Sequence, residues 1–368
     1  MTRVALITTT INNPTNLLEW AKTMDPDKDI IVIAGDKKSP HEDIINTCEL
    51  IEESTGVQAT YFHPDNFMTW ETDETIGYNC IQRRNVALLE ALIAQPEIIV
   101  TVDDDNYPTH PNQIDHYYEE LCKPLSQEVI TSATNGWYNV GLTYEPSVIH
   151  RGFPIEHIHD SPANVITSVQ QNIKLGVTTS FWHGDPDISA LERIYTNRMV
   201  HAHEIRDDFI TLDIGTWCPF NSQATAFRAE FSPLMMMWPG VGRFDDIWAS
   251  YAMRAVMDFV SFYVSYGKPH VRQDRNEHNL IRDLKDEIFG YEHTLTLTKL
   301  MRDIDFKNAS STHYNIITLA EQLYAHIVMN FDPLLPKTRY AFKAWTEDMR
   351  TLASDFGVNF MIKKDDNE

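Results

Sequence analysis

Between Pro96 and Pro108 the sequence PEIIVTVDDDNYP runs β-favouring apolar residues straight into three consecutive carboxylates. Ile98, Ile99, Val100 and Val102 read as a buried strand, bounded by Pro96 on one side and by a turn at Asn106 and Pro108 on the other. Such a strand needs no acidic tip for its own stability. Adjacent carboxylates repel, and each raises its neighbours' pKa unless a cation is shared among them. Asp103, Asp104 and Asp105 therefore point to a hard divalent ion on oxygen ligands, manganese or magnesium, held against a substrate phosphate. Open α/β sheets place ligands at this end of their strands. On these residues alone a solvated acidic turn is an equal alternative, so the neighbouring motifs decide.

The chain before this strand alternates strands and helices. Arg3 to Thr10 reads as a first strand, Asn12 to Pro14 open a helix through Leu17, Leu18 and Trp20, and Asp29 to Ala34 form a second strand ended by Gly35 and Asp36. This βαβ opening suits a nucleotide. Asp36, backed by Lys37 and Lys38, is a candidate for a ribose or base contact, with an ordinary exposed turn as the alternative. No GxGxxG occurs, which disfavours a dinucleotide. Val57 to Phe62 fits a third strand. From Ile76, IGYNCIQRRNVALLEALIAQ predicts a helix with Ile81, Ala87, Leu88, Ala91 and Leu92 on its sheet-facing side. Arg83 and Arg84 near its start are candidates to clamp a diphosphate. Neighbours on a helix do not face one ligand, so one of the two is expected to do so.

The middle of the chain is less regular. Val129 to Thr134 reads as a strand, followed from Asn135 by a polar, aromatic loop through HRGFPIEH, where a Gly-Phe-Pro turn fixes Arg151. Trp182, His183, Gly184, Asp185 and Asp187 form a second cluster. Either suits a hydroxyl-rich ligand, and either could be loop packing. After Asp213, TWCPFNSQATAFRAEF holds a strand, and VGRFDDIWASYAMRAV places Asp245 and Asp246 at the start of a helix whose core face is Ile247, Trp248, Tyr251, Ala252 and Val256. Carboxylates there can cap the helix. They can also serve as a base or as stabiliser of an oxocarbenium-like species. From residue 286 onward the pattern is helical, over His293 to Ile304, Tyr314 to Met329 and Tyr340 to Phe356, and carries no catalytic constellation.

A net charge of −23, from 30 basic and 53 acidic residues, argues against wholesale wrapping of nucleic acid or adhesion to an anionic membrane, although a local basic groove is compatible with it. Four scattered cysteines without metal-ligand spacing fit reduced thiols, and no apolar run reaches membrane-spanning length. A cytoplasmic location is expected.

Taken in order, IIVTVDDDNYP, HRGFPIEH, VGRFDDIWASY, the Tyr-Gly-Lys-Pro-His segment and LIRDLKDE resemble the reversibly glycosylated polypeptide family, whose best-known activity is UDP-arabinopyranose mutase. The resemblance implies a GT-A-like fold, a UDP-sugar bound with a divalent metal, and glycosylation of an arginine in an Arg-Gly-Tyr-Pro-Phe context, matched here by Arg151. Asp103, Asp104 and Asp105 match the family's DDD, and Asp245 and Asp246 match its paired aspartates. Two departures mark a divergent member. A second family arginine falls on Ile158, and a family histidine falls near Gln273, which leaves His270 or His278 as metal ligands in its place.

The expected architecture is an α/β, GT-A-like (Rossmann-like) mixed sheet flanked by helices over residues 1–285, with a helical region over 286–368 that packs on the core or on a partner subunit in a homo-oligomer. The expected function is a metal-dependent UDP-sugar enzyme that breaks the anomeric C–O bond, either a mutase or a glycosyltransferase. The acceptor of a transferase would be a glycan, metabolite, protein or modified nucleobase. The alternative from another class is a non-catalytic UDP-sugar-binding scaffold. Asp103 and Asp105 would hold the metal with His270 or His278; Asp36, Arg83, Arg84, Asp104, Trp182 and His183 would bind the donor; Asp245, Asp246 and Arg151 would carry the chemistry.

Overall fold

A computed structural model describes residues 2–66, 70–160, 165–196, 199–206, 209–276, 279–308 and 310–364. Strands β1 (Val4–Thr9), β2 (Asp29–Ala34) and β3 (Gln58–Phe62) alternate with helices α1 (Leu17–Ala21) and α2 (His41–Thr55). Helices α3 (Glu71–Ile76) and α4 (Arg84–Ile93) lead into β4 (Ile98–Val102), the apolar strand of the acidic motif. There follow β5 (Asn106–Pro108), α5 (Gln113–Cys122), β6 (Glu128–Ala133), β7 (Val165–Gln170), β8 (Leu175–Gly184), α6 (Ala190–Thr196), β9 (Phe209–Leu212), β10 (Ala224–Arg228), α7 (Asp245–Phe259) and β11 (Tyr263–Gln273). The remainder is α8 (Leu280–Arg302), β12 (His313–Asn315), α9 (Ile316–Asn330), α10 (Pro336–Asp355) and β13 (Met361–Lys363).

Eleven strands form one mixed sheet in the order β3-β2-β1-β4-β10-β8-β11-β9-β6-β7, with β5 paired to β11, and helices cover it. This is the expected α/β mixed sheet flanked by helices. Its first four strands are parallel, whereas β10 runs antiparallel to both β4 and β8. That reversal builds the site. With Ala224 opposite Val102, the loop before β10 meets the carboxyl end of β4, and β8 and β11 deliver their own carboxyl ends to the same edge.

The apolar face of α7 behaves as its periodicity requires, with Ile247, Trp248, Tyr251, Ala252 and Val256 all fully buried. The helical region does not form a separate core: Leu297, Leu323 and Trp345 join the cluster that contains Phe227 and Trp248. Trp248 Nε1 donates to Thr294 Oγ1 at 2.9 Å, tying α7 to α8. The expected boundary at residue 286 falls inside α8. Helix α10 holds both ends of α3. Asp348 accepts from the backbone N–H of Glu71 and Thr72 at 3.0 and 2.8 Å, and Lys337 donates to the Ile76 carbonyl at 2.8 Å. Negative charge at a helix N-terminus and positive charge at its C-terminus both favour the helix dipole. No helix among the described residues is long and apolar enough to cross a membrane.

Two expectations are corrected. The helix predicted from Ile76 is interrupted at Gly77 and Asn79, which take φ of +73° and +57°, because Asp36 captures the backbone N–H groups of Asn79 and Cys80 at 2.7 and 2.9 Å. Ile81 consequently lies in a short 3-10 turn, 44% exposed, not against the sheet. The segment read as irregular contains β8, an interior strand buried along most of its length. Its Thr-Thr-Ser centre breaks the apolar run that marks β4, and cross-strand partners such as Thr225 for Thr179 at 2.8 Å satisfy those hydroxyls.

Candidate functional site

The acidic tip is held open by its neighbours. Asp103 N–H donates to the Gln223 carbonyl at 3.1 Å, and its carboxylate pairs with Arg84, whose Nη1 also donates to the carbonyl and Oγ of Ser222 at 2.8 and 2.7 Å. Asp104 accepts from Thr10 Oγ1, from Asn12 Nδ2 at 2.9 Å and from Asn276 Nδ2 at 3.3 Å, so it binds the loops after β1 and β11 together. Asp105 accepts from Asn106 Nδ2 at 2.8 Å, and its carbonyl receives the Asp274 N–H at 2.9 Å. Burial, with Asp103 and Asp104 beside it, pushes the Asp105 carboxyl up to about 7, and burial likewise raises Asp103. A shared cation would relieve that strain.

Two cavities meet at this tip. One, of about 370 Å³, lies over the ends of β1 and β2 and is lined by Thr10, Asn12, Asp36, Asn79, Cys80 and Asp104 among others. The second, of about 240 Å³, reaches under α7 to Arg151, Gln223, Arg243, Asp245, Asp246 and Gln273. Both are bordered by Ile81, Arg84, Asp103 and Asp105.

Arg151 reaches the second cavity because Gly152 lets its loop rest on α7. Gly152 has φ +82°, and a Cβ there would stand 2.3 Å from Ile247 Cγ2. Tyr251 Oη donates to the Gly152 carbonyl at 3.1 Å, fixing the loop. The Arg151 side chain is buried, with Nε on Asp187 at 2.7 Å and Nη1 and Nη2 each 3.1 Å from the two oxygens of Asp246. Burial opposes its charge, yet Asp187 and Asp246 hold its pKa well above the ordinary value. Burial also opposes ionisation of Asp187, but Arg151, Arg275 and Arg243 hold its carboxyl well below the usual range.

The two aspartates at the start of α7 differ sharply. Asp246 is fixed by Arg151 and by the backbone N–H and Oγ of Ser222 at 3.0 and 3.1 Å. Asp245 accepts from Gln82 Nε2 at 2.6 Å and from the Asp246 N–H at 2.9 Å. Burial and the adjacent Asp246 carboxylate push Asp245 up to about 7. The residue preceding α7, Phe244, offers no side-chain cap. The turn before α7 depends on Gly242, φ +64°, where a Cβ would stand 2.1 Å from the Asp286 carbonyl. Arg243 is anchored by Glu287 of the LIRDLKDE segment at 3.0 Å.

Of the residues singled out from sequence, the structure gathers Asp103, Asp105, Arg84, Arg151, Asp245 and Asp246 around the second cavity, and Asp36 and Asp104 around the first. Both oxygens of Asp36 are engaged by the backbone N–H groups of Lys37, Asn79 and Cys80, so it shapes the cavity wall. Arg83 turns away to Asp73 and the Gly35 and Gly77 carbonyls. Trp182 and His183, at the end of β8, line neither cavity; Trp182 is buried beside His150, and burial followed by Arg272 lowers the His183 pKa. His270 also lies outside both, its ring beside Phe181, and His278 falls outside the described residues. Ile158 borders a separate hollow with Trp137 and Tyr138, so the substitution there does not touch the acidic cavity. Among the described residues no three His, Cys, Asp or Glu side chains converge as a metal site. Two carboxylates, Asp103 and Asp105, are nonetheless enough for magnesium or manganese when a substrate's phosphates complete the shell.

Sequence reasoning missed Gln82, Ser222, Gln223, Arg243 and Arg275 as site residues. Only Arg275 carried a usable signal, as a basic residue in a charged run after an alternating β segment.

The sequence profile of the reversibly glycosylated polypeptide family matches residues 6–354. UDP-arabinopyranose mutase 1 of Oryza sativa subsp. japonica is 22% identical over 269 residues, covering 70% of this chain and 68% of that protein. A probable UDP-arabinopyranose mutase 1 of Pisum sativum is 23% identical over 280 residues, with the same coverage of 70% and 68%. Among solved structures, a mannosyltransferase from Pyrobaculum calidifontis in complex with GDP-Man and Mn2+ aligns at 12% identity and a TM-score of 0.39, over 96% of this chain and 75% of that one, a likeness too distant to argue from.

Proposed function

This chain belongs to the reversibly glycosylated polypeptide family, and from that premise we propose that it is a nucleotide-sugar enzyme of UDP-arabinopyranose-mutase type, which binds a UDP-sugar with a divalent cation and breaks the bond from the anomeric carbon to the diphosphate. One observation carries the reading: Arg151, Asp245 and Asp246 share a single cavity with Asp103 and Asp105, and a second cavity adjoins it over the ends of β1 and β2. The nucleotide occupies the cavity beside Asp36 and the sugar the one beneath α7.

Asp103 and Asp105 would hold the cation. Bound there, it supplies Lewis-acid neutralisation of the diphosphate. As the C–O bond breaks, its electron pair leaves on the diphosphate oxygen and positive charge grows at the anomeric carbon. The Asp246 carboxylate, fixed by Arg151 and Ser222, presents negative charge to that carbon without reorganising. A change of ring form requires one sugar hydroxyl to lose a proton and the former ring oxygen to gain one. That hydroxyl oxygen bonds to the anomeric carbon and gives its proton to Asp245, poised near 7; the former ring oxygen leaves the carbon with its bonding pair and takes the proton back, and the diphosphate oxygen then re-forms its bond to the anomeric carbon. Arg151 remains a cation that orients Asp246, since a guanidinium held protonated is a poor nucleophile.

The test is incubation with a panel of UDP-pentoses and UDP-hexoses plus Mn2+. Interconversion of the nucleotide sugar supports the mutase; UDP release that needs an added acceptor makes the protein a transferase; binding without turnover makes it a scaffold.

A further inference from the structure

Arg275 stands apart from the other guanidinium groups of the cavity. Arg84 is matched by Asp103 and Ser222, Arg151 by Asp187 and Asp246, and Arg243 by Glu287. Among the described residues, Arg275 has only a 3.5 Å contact from Nη1 to the Pro186 carbonyl and a 3.6 Å approach of Nη2 to Asp187 Oδ1. Its side chain is 4% exposed, and its buried Nε has no hydrogen-bond partner. The facing Asp187 Oδ1 likewise accepts no hydrogen bond, and burial lowers the Arg275 pKa. A buried cation with unmatched donors is costly unless an anion completes it.

The backbone shows that this placement is imposed. Asp274 N–H is fixed to the Asp105 carbonyl at 2.9 Å and Asn276 Nδ2 to Asp104 at 3.3 Å, so the residues on both sides of Arg275 are pinned to the acidic tip. The Gln273 carbonyl accepts the Asp185 N–H at 3.1 Å, tying the segment to the loop after β8. Arg275 lines the same cavity as Asp103, Asp105, Arg151 and Asp246.

We propose that Arg275 is a diphosphate-binding residue: its guanidinium engages the phosphate oxygens of the donor in the cavity that it shares with Asp103 and Asp105. This rests on the nucleotide-sugar reading. The planar fork of arginine matches two phosphate oxygens at once, and binding supplies the hydrogen bonds that Nε and the terminal nitrogens lack.

The test is calorimetry with Mn2+ present, using UDP, inorganic pyrophosphate and uridine as probes on the parent protein, Arg275→Gln and Arg275→Lys, with thermal melts of each. Arg275→Gln is expected to weaken UDP and pyrophosphate by roughly ten- to a hundredfold, the effect of one charge-assisted pair of hydrogen bonds, and to leave uridine unchanged. Arg275→Lys is expected to recover less than half of the loss on a logarithmic scale, with the ligand-free melting temperature no lower than the parent's. Should Arg275→Gln unfold, the lysine variant decides alone. UDP binding undiminished in the variants overturns the assignment and leaves the nucleotide-sugar reading standing. Pyrophosphate bound through Arg275 by a parent that ignores UDP keeps the assignment and overturns that reading. A parent that binds neither overturns both.

Discussion

The guanidinium of Arg151 lies alongside the carboxylate of Asp246, with two nitrogens each 3.1 Å from two oxygens. Each residue is buried, so removing Arg151 leaves the Asp246 carboxylate without the cation it pairs with, whereas removing Asp246 leaves Arg151 paired with Asp187 alone. Arg151→Lys is expected to lower turnover by about a hundredfold or more, because a point charge cannot hold both oxygens of Asp246 while also reaching Asp187. Arg151→Ala should in addition destabilise the fold by about 3–5 kcal/mol. Steady-state rates and chemical denaturation check this pair of outcomes, and normal rates in Arg151→Lys would return the residue to loop packing.

Asp245 and Asp246 should respond differently to the same isosteric change. Asp245 has a pKa near 7 against 3.8 in the unfolded chain, so between those values the native state keeps a proton that the unfolded state releases. Stability contributed by Asp245 is therefore lost as pH rises from about 4 to about 7. Asp245→Asn removes that penalty: its melting temperature should match the parent's below pH 4 and exceed it above pH 7. Its turnover should fall at least roughly a hundredfold, with loss of the pH-rate limb near 7. Asp246→Asn should lower both turnover and melting temperature across that range.

The acidic tip is expected to show a cation-linked version of the same behaviour. Burial, with Asp103 and Asp104 beside it, likewise pushes Asp105 up to about 7, so the ion-free protein should lose stability through the same window. Mn2+ should raise the parent's melting temperature more at pH 8 than at pH 5, since proton and cation compete for the same carboxylates. Asp105→Asn should abolish the Mn2+ shift while leaving the ion-free protein slightly more stable at pH 8. A full shift in the variant would remove Asp105 from the metal site.

Gly152→Ala places a Cβ 2.3 Å from Ile247 and forces an alanine to φ +82°. A loss of about 2–3 kcal/mol is expected, together with reduced turnover as Arg151 moves off Asp246. Adding Ile247→Ala should relieve the clash but not the backbone strain. A double-mutant cycle in denaturant therefore should find the pair less destabilising than the sum of the single changes.

How much of this was legible in the sequence varied with the kind of signal. Strand β4 could be read because Ile98, Ile99, Val100 and Val102 are apolar and β-favouring, and its acidic tip because a strand needs no run of three mutually repelling carboxylates at its end. The pairing of Arg151 with Asp246 could not, since it depends on Gly152 touching Ile247 across a large sequence separation. Strand β8 was hidden by its hydroxyl-bearing centre, whose partners lie on α5, β10 and β11. Helix periodicity carried α4 too far back, because nothing local announces that Asp36 will seize the backbone at Asn79 and Cys80. The choice between Arg83 and Arg84 was open in sequence for the same reason: Asp73 and Asp103, which divide them, are brought together by the fold.

The grip of α10 on α3 has a consequence for biogenesis. Asp348 and Lys337 hold the two ends of a six-residue helix that leads directly to the Asn79–Cys80 wall of the cavity over the ends of β1 and β2. So short a helix has little stability of its own. During synthesis, the strands that carry Asp36 and the acidic tip emerge long before the helix that braces this wall. The nascent chain therefore passes through a stage in which its sheet can pair but this cavity wall is unbraced, and its bracing waits on translation of residues 337 to 348.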